Sequence, residues 1–148
     1  MTVEELLLEW KKDSEIKKSK LDEESIRTAM LHAKYLEVHA AYKSRYNKLK
    51  AKLKDLEFEK RRWLKGTMTK SEMDDLGWDY DPWKGMSKPM KSEMEDHLFA
   101  DDDVKKVVEK LKETEVLLET LESIMQNIQW RHQSIKNAID FMRFQAGG

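Results

Sequence analysis

The chain has 148 residues, a formal net charge of −1, no cysteine, five glycines and two prolines. The missing cysteines exclude disulfides, thiolate metal sites and thiol catalysis, and the scarcity of turn formers excludes an all-β fold. Ala, Glu, Lys, Leu and Arg supply nearly half of the residues, and charged and hydrophobic residues stand at 39% each, a balance that suits long amphipathic helices in a single domain.

Thr2, followed three residues later by Glu5, makes a capping box that opens a short helix over residues 1–12. Residues 13–20 form a charged connector without a clear period. Asp22 is placed to cap a long basic helix over 22–65, roughly 65 Å at 1.5 Å per residue, which no Gly or Pro interrupts. Its apolar positions are Ile26, Met30, Ala33, Leu36 and Ala40, then Tyr42, Tyr46, Leu49, Leu53, Leu56 and Trp63. Gly66 ends it, since Gly tolerates the left-handed conformation of a helix end.

Residues 66–100 are irregular. A capping box at Thr69 starts a helix of one or two turns that Gly77 stops, Trp78 to Gly85 is a loop, and another short helix lies near Met90 to Phe99. So long a segment is expected to dock on the long helices. Asp101, Asp102 and Asp103 then head a last helix over 101–143, roughly 60 Å long. Its seam is Val104, Val107, Leu111, Thr114, Leu118, Leu121, Met125, Ile128, His132, Ile135, Ile139 and Met142, in steps that alternate three and four. Such a repeat keeps one stripe facing a partner helix, and His132 is expected to fix register within it. The two long helices can close a hairpin. Val108, Leu117 and Ile124 lie off the stripe, where one partner would leave them bare. The expected fold class is therefore all-α, a helical hairpin that assembles as a coiled-coil oligomer. The expected contacts are Val107, Leu111, Leu118, Leu121, Met125, Ile128, Ile135, Ile139 and Met142. The run Leu6-Leu7-Leu8 is far too short to span a bilayer, so the chain reads as soluble and cytoplasmic with no membrane partner.

Charge is unevenly placed. Between Lys43 and Lys65 stand ten basic residues and three acids (Asp55, Glu57, Glu59), whereas Glu93 to Glu122 holds eleven acids and four lysines. Such asymmetry marks either a nucleic-acid surface beside a differently tasked acidic one, or two solvated helices that attract each other. The basic run closes Lys60-Arg61-Arg62-Trp63-Leu64-Lys65-Gly66, where crowded cations repel and phosphates would relieve them. Lys48, Lys52, Lys54, Lys60, Arg61, Arg62, Trp63 and Lys65 are the candidate DNA contacts, with Lys60, Arg61 and Arg62 expected to be largely solvated. Trp63 can stack on a base or pack in the core, as it falls on the apolar stripe. Lys60 also falls on that stripe, so either the seam ends there or this helix end faces something anionic. The acidic stretch cannot hold phosphate and is a candidate for packing on basic segments or docking a protein.

No catalytic constellation is present. The four histidines (32, 39, 97 and 132) lack metal-ligand spacing, and no phosphate-binding loop or nucleophile motif occurs. Asp101 to Asp103 suit a helix N-terminus better than a magnesium site. No cofactor, metal or catalytic residue is expected. Trp78, Tyr80 and Trp83 are either a partner-binding patch or an aromatic clamp that holds their loop to the helices.

Four blocks stand in order along the chain: Lys11-Lys12-Asp13, Ile16, Lys20-Leu21, Met30-Leu31, Lys34 and Leu36; the basic segment closing at Gly66; Lys91-Ser92-Glu93-Met94, Leu98 and Ala100-Asp101; and Ile135-Lys136, Asp140, Phe144 and Ala146-Gly147. Together they resemble the UvsY family of recombination mediators from tailed bacteriophages. Where the family pattern has basic residues before Tyr-Tyr-x-Gly, this chain reads Trp63-Leu64-Lys65-Gly66, so Leu64 has no stacking role, while Arg61, Arg62 and Lys65 add cations. The loop from Trp78 to Gly85 is longer than the family pattern. The resemblance implies a non-enzymatic protein of the host cell cytoplasm that forms cyclic hexamers or heptamers and binds single-stranded DNA. It also implies two protein partners, a phage RecA-like recombinase and the phage single-stranded-DNA-binding protein whose coated strands the recombinase must occupy. The rival reading is a helical oligomeric scaffold or adaptor that never touches DNA. A metal-dependent nuclease is a third class, marked by magnesium-stimulated strand cleavage.

Overall fold

The structure is a computed structural model that describes residues 1–147. Its helices are α1 (Val3–Asp13), α2 (Leu21–Lys65), α3 (Lys70–Leu76), α4 (Lys91–Ala100) and α5 (Asp102–Gln145), with a 3-10 turn at Lys18–Lys20. The all-helical class holds, and each helix falls within a few residues of the expected place. The capping box is complete, as Thr2 Oγ1 accepts from the Glu5 amide and a Glu5 carboxylate oxygen accepts from the Thr2 amide. The 3-10 turn feeds α2 directly, so Asp22 sits inside its first turn rather than capping it. Gly66 (φ +76°) ends α2 with the paired bonds of a left-handed cap: the Gly66 amide donates to the Trp63 carbonyl and the Thr67 amide to that of Arg62. Gly77 (φ +71°) ends α3 in the same way.

The chain packs as two compact units, one built from Met1–Arg45 with the chain from Glu113 onward, the other from Tyr46–Lys112. In the first unit, Leu31 and Tyr35 of α2 pack with Leu117, Leu121, Ile124 and Ile128 of α5, and α1 closes the cluster with Leu6, Val3 and Trp10. Trp10 meets Tyr35 edge to face at 5.5 Å. Two pairs of partners, Glu24 with Arg131 and His39 with Glu122, run in opposite chain directions, so these helix halves are antiparallel.

The structure departs from the sequence expectations at four points. The α5 seam turns inward: Val107, Leu118, Leu121, Ile128 and Ile135 are buried within the chain, Leu111, Met125 and Ile139 are half-buried, and of the expected oligomer contacts Met142 alone is exposed. Leu117 and Ile124, expected to need a partner chain, are covered by α1 and α2. His132 is exposed, and Arg131, only 4% exposed, takes the inward position. On α2, Ile26, Met30, Ala33, Leu36 and Ala40 are exposed, because Leu31, Tyr35, Val38 and Tyr42 form the stripe that meets the rest of the unit.

A polar network lies beneath this core. Arg131 donates to the Glu24 carboxylate, to the Thr28 hydroxyl at 3.2 Å and to the Ser14 carbonyl at 3.2 Å. Arg27 also reaches Glu24 (3.1 Å) and the carbonyls of Asp13 and Glu15. Asp13 accepts from Lys34 (2.6 Å) and from the Tyr35 hydroxyl (2.8 Å). Burial alone would raise the Asp13 and Glu24 carboxyls. The surrounding hydrogen bonds and charges of Lys34, Tyr35, Arg27 and Arg131 outweigh it and hold both below their ordinary values.

In the second unit, Leu64, Met94, Leu98 and Val104 form the buried cluster, with Leu53, Leu56, Trp63, Trp83 and Val108 packed against it. The segment expected to be irregular thus docks through Met94 and Leu98 of α4 and through Trp83.

Candidate nucleic-acid interface

The basic half of α2 is an unbroken helix, so its side chains can be sorted by face. At about 100° per residue, Lys50, Lys54, Arg61 and Lys65 fall within roughly 80° of one another. Phe58, 64% exposed, lies in the same row. Lys48 and Lys52 point roughly 140° away, on the side that carries Asp55 and Glu59. The expected contacts therefore divide into a mostly cationic stripe, which includes one acid, Glu57, and a face with more evenly mixed charge. Lys50, passed over in favour of its neighbours, belongs to the stripe, and its ammonium lies 5.4 Å from the centre of the Tyr46 ring. Sorting the run by helical angle rather than by density of cations would have found it.

Lys60 does not belong to the stripe, and the expectation that it is solvated is corrected. It is 2% exposed, because its seam position turns it toward the N-terminus of α5. Its ammonium is 2.9 Å from Asp103 and 3.1 Å from Asp101, and it sits 4.6 Å from the Trp63 ring centre and 4.0 Å from that of Trp78. The anionic feature facing this helix position is the protein's own pair of aspartates. Lys60's hydrogen bond and charge hold the Asp103 carboxyl below its ordinary value. Asp101 caps α5 as well, accepting from the amides of Asp103 (2.9 Å) and Val104 (3.1 Å).

The other cations are partly occupied. Arg61 makes a two-pronged contact with Glu95 at 2.9 and 3.1 Å, and both side chains stay accessible. Arg62 is 2.8 Å from Glu72, although the direction is poor for a hydrogen bond. The acidic stretch therefore packs in part on the basic one. Lys65 is exposed.

The aromatics resolve as a clamp. Trp63 packs at 5.4 Å on Trp78 and donates from Nε1 to the Asp79 carbonyl at 2.7 Å. Trp83 donates from Nε1 to the Leu64 carbonyl at 3.2 Å and meets His97 edge to face at 5.0 Å. Asp81 fixes the loop by accepting from the amides of Trp83 and Gly85, which keeps its carboxyl below the ordinary value. Tyr80 is exposed, and its hydroxyl donates to Asp74.

Residues 9–148 match the family model described as recombination, repair and single-stranded-DNA-binding protein UvsY. The chain belongs to the UvsY family. The recombination protein uvsY of Enterobacteria phage T4 is 31% identical over 99% of both chains. Crystal structures of the bacteriophage T4 recombination mediator protein UvsY superpose with a TM-score of 0.83 at 29% identity (lattice type II, 99% of this chain and 98% of that one). The lattice type I form gives 0.81 at 28% identity (95% and 98%). Membership of the UvsY family makes this a recombination and repair protein that binds single-stranded DNA. The UvsY description names binding and no catalysis. Among the described residues no helix is long and apolar enough to cross a membrane.

Proposed function

We propose that this protein is a recombination mediator: it binds single-stranded DNA along the α2 stripe and promotes loading of a phage RecA-like recombinase onto strands coated by the phage single-stranded-DNA-binding protein. The observation that carries the reading is the stripe of Lys50, Lys54, Arg61 and Lys65, in which four cations stand against one acid, Glu57. One subunit offers a weak phosphate contact. A ring of six or seven subunits repeats it, and the later contacts form at high effective concentration, so a strand is held across many subunits and bent away from its coating protein. Lys60 supports the site from within and does not touch phosphate.

Two exposed faces of the first unit suit the assembly. One is the α2 row of Ile26, Met30, Ala33, Leu36 and Ala40. The other is the α5 row of Trp130, Phe141 and Phe144, separated by uncharged Ser134 and Asn137. Apolar rows of this kind are what a second copy would cover.

The test is the salt dependence of binding. Single-strand affinity falls with salt at a log–log slope of roughly −0.7 per phosphate neutralised. Lys50→Ala with Lys54→Ala and Lys65→Ala is expected to weaken binding and make the slope shallower by about 2 for each subunit engaged. A scaffold that never touches DNA would show no salt-dependent binding to lose. A converse change follows from Glu95, which occupies Arg61. Glu95→Gln frees the guanidinium and is expected to tighten binding by about two- to fivefold in a titration at low salt, as the contact is exposed and worth less than about 1 kcal/mol.

A further inference from the structure

We propose that Phe58 is the base-stacking platform of this protein, one base of a bound single strand lying on its ring while Lys54, Arg61 and Lys65 hold the flanking phosphates. The inference rests on the single-strand reading of the α2 stripe and adds the residue that reads the bases. A lone exposed ring is ordinary on a protein surface. The setting of this one is not. Phe58 is 64% exposed and lies in the row of cations, with Lys54 four residues before it and Arg61 three residues after. Residues three and four apart are neighbours on a helix surface, so both cations flank the ring. Asp55, three residues before Phe58, borders the ring as well, but the neighbouring cations Lys54, Arg61 and Arg62 outnumber it, and Glu59 points about 100° away.

The competing aromatics are engaged elsewhere. Trp63 is bonded to the Asp79 carbonyl and packed on Trp78, and Trp83 is bonded to the Leu64 carbonyl and packed on His97. Tyr80 is exposed but bonded to the Asp74 carboxylate, a charge that repels phosphate. Phe58 thus combines an open face with cationic neighbours on both sides, the pairing by which single-strand binders join stacking to charge.

The experiment titrates the full-length protein with a labelled oligodeoxythymidine and with an abasic oligonucleotide of the same length, at two salt concentrations. Phe58→Ala is expected to weaken oligodeoxythymidine binding by about 5- to 100-fold, the range of a lost base stack, and to leave the salt slope and abasic binding unchanged. Phe58→Trp is expected to retain binding, with helicity and oligomer mass equal to wild type in both variants. Wild-type affinity in Phe58→Ala overturns the stacking role and leaves the single-strand reading intact. A changed oligomer mass in Phe58→Ala overturns it too, by making the ring a contact between copies. Absence of salt-dependent binding in the wild-type protein overturns the underlying reading, and the stacking role falls with it.

Discussion

Arg131→Met is expected to lower the unfolding free energy by about 2–4 kcal/mol, because it leaves the buried Glu24 carboxylate with Arg27 as its remaining cation and leaves the Ser14 carbonyl and Thr28 hydroxyl without their donor. Urea unfolding at fixed protein concentration, followed by circular dichroism, measures it. Glu24 is 6% and Arg131 4% exposed, so water cannot replace the lost partner. Converting both to Met removes the under-paired carboxylate, leaves the partly exposed Arg27 its carbonyl partners Asp13 and Glu15, and is expected to recover much of the loss. A double variant no more stable than Arg131→Met would disprove the coupling.

The same network sets a pH dependence. Glu24 and Asp13 are held below their ordinary values in the folded chain, so each binds a proton more weakly folded than unfolded. Their contribution is complete above the ordinary carboxylate range, begins to fade as pH falls through it, and is gone once pH passes below the depressed folded values. Arg131→Met is expected to flatten this acid limb.

Lys60→Met is expected to cost about 2–3 kcal/mol, less than a fully buried break, because Asp103 is half exposed and regains water while Asp101 does not. The fluorescence of Trp63 and Trp78 should change, since the ammonium lies against both rings. The salt slope of DNA binding should stay as in wild type. A variant of normal stability with a shallower slope would return Lys60 to the phosphate contacts.

Much of this was legible from spacing alone. The steps of three and four from Val104 to Ile128 identified the buried face of α5, and Gly66 and Gly77 identified helix ends. After Ile128 a step of three (Arg131) and a step of four (His132) fit the rhythm equally, and a reading that looks for low charge inside passes over an arginine. Its partner Glu24 stands more than a hundred residues earlier, so no local pattern joins them. Lys60 was conspicuous on its apolar stripe, yet its aspartates lie about forty residues downstream. On early α2 two apolar rows have the same period, and periodicity cannot say which one is covered. Phe58 was hidden because an aromatic between two glutamates enters neither the apolar stripe nor a count of cations.

The end of α2 has one more consequence. The last carbonyls of a helix carry roughly half a negative charge, which would push a phosphate chain away from Lys65. Here the Leu64 carbonyl accepts from Trp83 Nε1 and the Lys65 carbonyl accepts from the Lys88 ammonium at 2.8 Å. The segment after α3 thus insulates the helix terminus electrically, and a polyanion following the stripe to its last cation meets a masked dipole rather than a repulsive one.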